Sequence, residues 1–359
     1  MARMDFEPNE FFRVPSSRIL RVFLGLVVLA SLVGLFWWRR GSLEGIGSAF
    51  SAVRWEWVVV AILLNLLSVI ARALAWTLVI HSAMEPPRPR VPLVFSAFSV
   101  GLFANAVLPG RVGELARVVV LRRRLPPRKG TTATLIGSVF AHRMLDVPPA
   151  ATLVVFVLAT ATLPGWALGS IVAALGVGAL LMGFALVMAR RQNRELEELG
   201  RMRILLARAR EGLAILRSPR AAAIAVSFQY LGWFCQLLAV WAAMRAFHIY
   251  QPLSVAGLVL VLINVVTIIP FWPGNVGVVQ IAIATSLVGY GVAYARGFAF
   301  GIGLQAIEAS VGVGVGTIFL AREGLSYAML RDLEEETETE ERAEDDERER
   351  HRPRAGVPG

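Results

Sequence analysis

Apolar stretches of about 20 residues, each long enough to cross the hydrocarbon layer of a bilayer, recur along this chain, and two apolar segments are interrupted by the same pattern. The first break reads Asn105-Ala-Val-Leu-Pro109-Gly110-Arg111-Val-Gly113-Glu114. The second reads Pro270-Phe-Trp-Pro273-Gly274-Asn-Val-Gly277-Val-Val-Gln280. Proline and glycine stop a helix, and unpaired backbone at membrane depth survives only inside protein or along a cavity. Paired interruptions at matching places in two halves of a chain point to a transporter's binding site. With 56% hydrophobic residues over 359 positions, the chain reads as an all-α polytopic membrane protein.

Spans are expected at about 19–38, 58–80, 131–159, 166–189, 221–245 and 296–320, with broken hairpins at about 91–121 and 253–291. The first span, Ile19 to Trp38, ends in Trp37-Trp38-Arg39-Arg40 with no small-residue cleavage site and reads as a retained anchor. The positive charge is almost all arginine, grouped at Arg3, Arg13 and Arg18, at Arg88 and Arg90, at Arg122 to Lys129, and at Arg190 to Arg220. Basic loops stay in the cytoplasm. All four groups share that side only if segment 91–121 enters and leaves through one face, as a re-entrant hairpin. The same logic makes 253–291 re-entrant from the outer face and leaves both termini cytoplasmic. The alternative, a plain span at 91–108, would put Arg122-Arg123-Arg124 outside.

The expected architecture is therefore an inverted-repeat helical bundle with two re-entrant hairpins. A cytoplasmic N-terminus (1–18) precedes a membrane domain (19–322) with halves at about 19–160 and 166–322. Between Arg194 and Arg217 a leucine stripe with arginines off it marks a basic amphipathic helix, lying on the membrane surface or packed on the bundle as a linker. The tail, 323–359, has 12 acidic residues between Asp332 and Glu349 and is expected to be disordered or a solvated helix. The net charge of +10 thus understates how basic the membrane part is, and basic charge beside spans reports orientation and anionic lipid, not nucleic acid. Cys235 is the only cysteine, so no intrachain disulfide forms.

Ionisable groups at membrane depth are costly and mark function by default. Arg111, Glu114 and Arg117 follow the first break, and Arg143 with Asp146 lie in the next span. Each of the pairs Glu114–Arg117 and Arg143–Asp146 is three residues apart and can share a helix face, with His142 able to join it. In the second half Gln280 takes the place of Glu114, while Gln305 and Glu308 repeat the three-residue spacing; Asn264 is the polar residue of the helix before the second break. For every pair the plain alternative is a structural ion pair that pins helices together. Asn65 and Arg72, on one face of the second span, point toward the same region. A helix opening after Pro109-Gly110 offers free N–H groups and a positive dipole end, an anion site strengthened by Arg111, and arginine forks match phosphate oxygens. An anionic head group whose chains stay in lipid fits such a site; a small soluble anion competes with it. Enzyme signatures are missing: the four histidines are scattered, and Lys129-Gly130-Thr131 is not a phosphate loop. No metal or cofactor is expected. Gly297, Gly301, Gly312 and Gly316 form two G-x-x-x-G patterns, read as tight helix packing.

The ordered set Asn105-x-x-x-Pro109-Gly110-Arg111-x-Gly113-Glu114-x-x-Arg117, a basic loop, and Arg143-x-x-Asp146 resembles the first signature of the lysylphosphatidylglycerol synthase transmembrane-region family. Pro270-x-x-Pro273-Gly274-x-x-Gly277 resembles its second. The resemblance covers about 15–322 and implies an inner-membrane protein of a bacterium or archaeon that handles lipids or lipid-linked head groups. The residue reading and the resemblance together give Asn105, Pro109, Gly110, Arg111, Gly113, Glu114, Arg117, Arg143, Asp146, Asn264, Pro273, Gly274, Gly277, Gln280 and Glu308 as the candidate binding set. Two positions depart from the pattern: Gln280 stands where the second signature usually ends in Glu, and His142 where an acidic residue is common. A short acidic tail in place of a catalytic domain implies a protein that does not synthesise the aminoacyl lipid. The leading expectation is a non-enzymatic lipid translocase working by alternating access of the two hairpins. The alternative is an accessory subunit presenting a lipid carrier to a separate lipid-modifying enzyme or glycosyltransferase.

Overall fold

A computed structural model describes residues 45–107, 112–126, 131–162, 218–267 and 275–322, with Gly165, Gly169 and Ile215 besides. The expected spans at 19–38 and 166–189, most of the amphipathic segment 194–217 and the acidic tail lie outside the described residues. Among the described residues every regular element is a helix. They are α1 (Ile46–Ser51), α2 (Trp55–Ala83), α3 (Val91–Val107), α4 (Gly113–Arg124), α5 (Thr131–Thr160), α6 (Pro219–Ala246), α7 (Leu253–Val266), α8 (Val278–Val288) and α9 (Tyr294–Arg322).

Among the described residues four helices are long and apolar enough to cross a membrane: α2, α5, α6 and α9, the last over Tyr294–Phe319. The protein is a multi-pass, all-α membrane protein. At 1.5 Å per residue, α2 reaches about 43 Å, whereas the broken helices α3, α4, α7 and α8 reach only about 16 to 26 Å, short of the ~30 Å hydrocarbon layer. The reason is local. Helix α2 has no internal proline or glycine and stops at Met84, just before Glu85-Pro86-Pro87. Helix α6 opens with Ser218 and proline at its first position, where the missing N–H costs nothing. In the second break Asn275 and Gly277 take positive φ, 46° and 93°; only glycine accepts the latter freely.

Each short pair folds back on itself. Gly113 at the start of α4 lies against Gly101 and Asn105 of α3. Asn275 reaches Val266 at the end of α7, and Gln251, just ahead of α7, donates to Tyr290 beyond the end of α8 at 3.0 Å. Helices α2 and α6 run antiparallel through the centre: Arg54 N bonds Ala246 O at one end, and Arg72 meets Gln236 near the middle. Apart from α1 on α9, the contacts between helices come in exchanged pairs. Helix α3 packs on α4 and on α9, as α7 packs on α8 and on α5; α4 meets α5 as α8 meets α9; α2 meets α3, α5 and α9 as α6 meets α7, α9 and α5.

Two apolar clusters flank this centre. One gathers Leu258, Leu260, Met244, Phe247 and Phe300 around α6, α7 and α9; the other gathers Trp76, Ile80, Leu121 and Leu135 around α2 to α5. Side chains on the outer faces, such as Leu63, Phe140, Val155, Phe234 and Ile318, are large, apolar and exposed, as lipid contact requires. The glycine pattern of α9 packs as expected. A Cβ on Gly316 would sit 2.5 Å from Phe103 and 2.8 Å from the Ser99 carbonyl, and one on Gly301 would sit 3.1 Å from the Gln280 backbone.

Candidate functional site

The polar residues of the core meet where the short hairpins face the long helices. From α4, the Glu114 carboxylate takes Nε of Arg143 on α5 at 2.7 Å, with a second contact from the same guanidinium. Glu114 also faces Arg117 on its own helix at 3.6 Å. The strongest partner of Arg143 is therefore across the helix interface, not Asp146, which lies 3.5 Å away. Asp146 accepts instead from the indole of Trp233 on α6 at 3.0 Å. Arg117 is 5% exposed, its guanidinium packed over Trp76 at 5.1 Å and Phe98 at 5.3 Å, a cation–π cage that compensates lost hydration. His142 is buried beside Phe98 and Gln229. Just past Asp146, Pro148 and Pro149 sit inside α5. Without their N–H groups, the carbonyls of Met144 and Leu145 lack the usual helical donors.

In the second half amides replace the ions. Gln280 on α8 donates to Gln305 on α9 and accepts from Gly277 N at 2.5 Å, in the same helix pairing that Glu114 and Arg143 occupy. In the first half Gly113 N donates to the Asn105 side chain at 2.9 Å. This amide of the α4 opening is thus spent inside the protein, and the acidic Glu114 occupies its first turn. Asn264 turns to its own helix, donating to Leu260 O at 2.8 Å, and is exposed. Pro109, Gly110, Arg111, Pro273 and Gly274 lie outside the described residues.

At the middle of the molecule Arg72 Nη2 donates to Gln236 Oε1 at 2.6 Å. Gln236 and Glu308 line the same cavity as Arg72, so an amide from α6 and a carboxylate from α9 share its wall with a cation from α2. The two bonded positions, 72 and 236, are 164 residues apart, the same offset that separates Pro109 from Pro273 and Gly113 from Gly277. Ser68 and Gly232, which also lie against each other, have that offset too. Arg72 lies 5.1 Å over the Trp233 ring.

These groups line a cavity of about 670 Å³ with Asn65, Ser68, Arg72, Asn105, Gln236, Gln280, Gln305 and Glu308 among its walls. A smaller space of about 80 Å³ beside it is bounded by Arg72, Asn105, Arg117, His142, Arg143 and Asp146. The lining of the larger cavity also includes apolar side chains, among them Val276, 57% exposed, and Ile302, 36% exposed.

The matching family model, lysylphosphatidylglycerol synthase TM region, covers residues 22–316. The chain belongs to that family. No curated protein and no solved structure matches it. Within this family member the candidate set read from the sequence divides. Glu114, Arg117, Arg143 and Asp146 form one ionic cluster, and Asn105, Gln280 and Glu308 line the large cavity with the amides. Sequence reasoning gave Arg72 little weight and left Gln236 and Trp233 unmentioned. Arg72 carried the clearer signal, a lone ionisable residue deep inside a 29-residue apolar helix. Gln236 had one as well, since it stands at the repeat offset from Arg72.

Proposed function

We propose that this protein moves lipids between the leaflets of a bilayer, passing the head group through the central cavity while the acyl chains stay in the membrane. The observation that carries this is the cavity itself. Its lining joins Arg72, Gln236 and Glu308 to the exposed apolar side chains Val276 and Ile302. A lipid, with a polar head and apolar chains, suits a cavity of that mixed lining; a soluble ion has no use for its apolar part. Membership of the family agrees with lipid handling. In this proposal the ligand leaves chemically unchanged, and the membrane is the cytoplasmic one, with both termini on the cytoplasmic side.

The proposed architecture is an inverted repeat with two re-entrant hairpins. Three observations favour it: the hairpins are too short to span and turn back on themselves, the equivalent helices α2 and α6 run antiparallel, and the contacts occur in exchanged pairs about the Arg72–Gln236 bond. Inverted repeats around a midplane site let the same halves open alternately to either side. The test is reconstitution of the purified chain into liposomes carrying a trace of fluorescent phospholipid, with dithionite reduction from outside. Protein-dependent loss of the protected fluorescent fraction is the expected result. Liposomes that behave like protein-free ones, across anionic and zwitterionic phospholipids, would overturn the proposal.

A further inference from the structure

We infer that the cavity recognises a dipolar head group of zero net charge, with its phosphate at Arg72 and a primary ammonium at Glu308; the inference rests on the lipid-handling proposal and names its substrate class. Among the described residues the ion pairs of the centre join Glu114 to Arg143 and Arg117, and Arg143 to Asp146. Those two carboxylates and two guanidiniums cancel among themselves. Arg72 and Glu308 are in none of these pairs. Both line the cavity, on α2 and α9, together with Gln236, which accepts from Arg72. The site thus presents one positive and one negative group side by side, held apart, with no net charge.

Of the residues that line this cavity, Glu308 Oε1 and Arg72 Nε are enclosed and find no hydrogen-bond partner among the described residues. An enclosed carboxylate oxygen calls for a donor and an enclosed guanidinium N–H for an acceptor. A phosphate diester offers acceptor oxygens that suit an arginine fork, and an ammonium offers three donors. A head group carrying both satisfies the two walls at once. One with a phosphate alone would bring an uncompensated negative charge beside Glu308 at membrane depth, where such charge is costly. Like charge against like charge is the usual way a site rejects the wrong partner.

The test measures retention and transport separately. The full chain in detergent is equilibrated with phosphatidylethanolamine, with its N-acetyl derivative, which keeps the phosphate and loses the ammonium charge, and with phosphatidylglycerol. Bound lipid is read by native mass spectrometry. The expected result is retention of phosphatidylethanolamine over both others by about tenfold, and collapse of that preference toward one in Glu308→Gln, which keeps the size of the side chain and removes its charge. Equal retention of all three lipids by the parent protein, or a preference that survives Glu308→Gln, would overturn the inference. The N-acetyl comparison needs no variant, so a poorly folding Glu308→Gln still leaves a decisive result. Liposome transport of the same lipids reports on the other proposal. Selective retention without movement refutes the translocase and leaves the head-group assignment standing; movement of every lipid with equal retention does the reverse.

Discussion

Gly113→Ala should destabilise this protein even though alanine is the better helix former. On helix propensity alone the substitution gains at most about 1 kcal/mol. The surroundings reverse the sign. A Cβ at residue 113 would meet the Gly101 carbonyl oxygen at less than van der Waals distance and lie 2.6 Å from both Cγ and Oδ1 of Asn105. The nearest of these is backbone and cannot swing aside, so α4 must move off α3. That movement breaks the bond from Gly113 N to Asn105 Oδ1, worth about 1 kcal/mol net, and overpacks the hairpin at a cost of about 1–3 kcal/mol. The expected balance is a loss of about 1–3 kcal/mol. Gly314→Ala is the control: nothing lies within 4 Å of its added methyl group, so it should gain up to about 1 kcal/mol. Unfolding in mixed micelles by an SDS titration, followed by tryptophan fluorescence, gives both values. Opposite signs are expected. A Gly113→Ala protein as stable as its parent would refute the close hairpin packing.

Two further outcomes follow from the same geometry. In a double-mutant cycle, Glu114→Ala and Arg143→Ala should couple by about 1–2 kcal/mol, between the values of exposed and buried pairs, because the side chains are 32% and 46% exposed. Coupling of Arg143 to Asp146 should be weaker, and additive losses for Glu114 and Arg143 would dissolve the pair. On a Cys235→Ala background, single cysteines at positions 90 and 122 should react with an impermeant maleimide from one face of the membrane, and a cysteine at 291 from the other. Labelling of 90 and 122 from opposite faces would make the first hairpin a plain crossing.

The helices were legible because membrane helices declare themselves by length and apolarity: 58–80, 131–159, 221–245 and 296–320 lie within α2, α5, α6 and α9. The breaks were legible because proline and glycine leave few alternatives. Pairing was harder. The three-residue spacing of Arg143 and Asp146 suggested that they neutralise each other, yet spacing reports a shared face and not the competing partner that another helix brings. Glu114 arrives from α4 and takes Arg143, and Trp233 arrives from α6 and takes Asp146. Asn264 shows the converse, a polar residue in the right segment whose side chain bonds its own helix. That Arg72 and Gln236 bond each other follows from the antiparallel crossing of α2 and α6, which puts residues 164 positions apart in contact.

The glycines of α9 have a mechanical consequence. Gly312 and Gly316 lie against α3, and Gly297 and Gly301 against α8, so one straight helix touches a member of each hairpin through backbone. Most helix contacts resist sliding, because side-chain ridges seated in grooves must climb out before they can reseat. A face of glycines has no ridges. Axial shear of either hairpin along α9 would therefore meet fewer side-chain ridges than at an ordinary helix contact, and side chains larger than glycine at positions 301 or 316 would both obstruct that shear and push α8 or α3 away at a cost in stability.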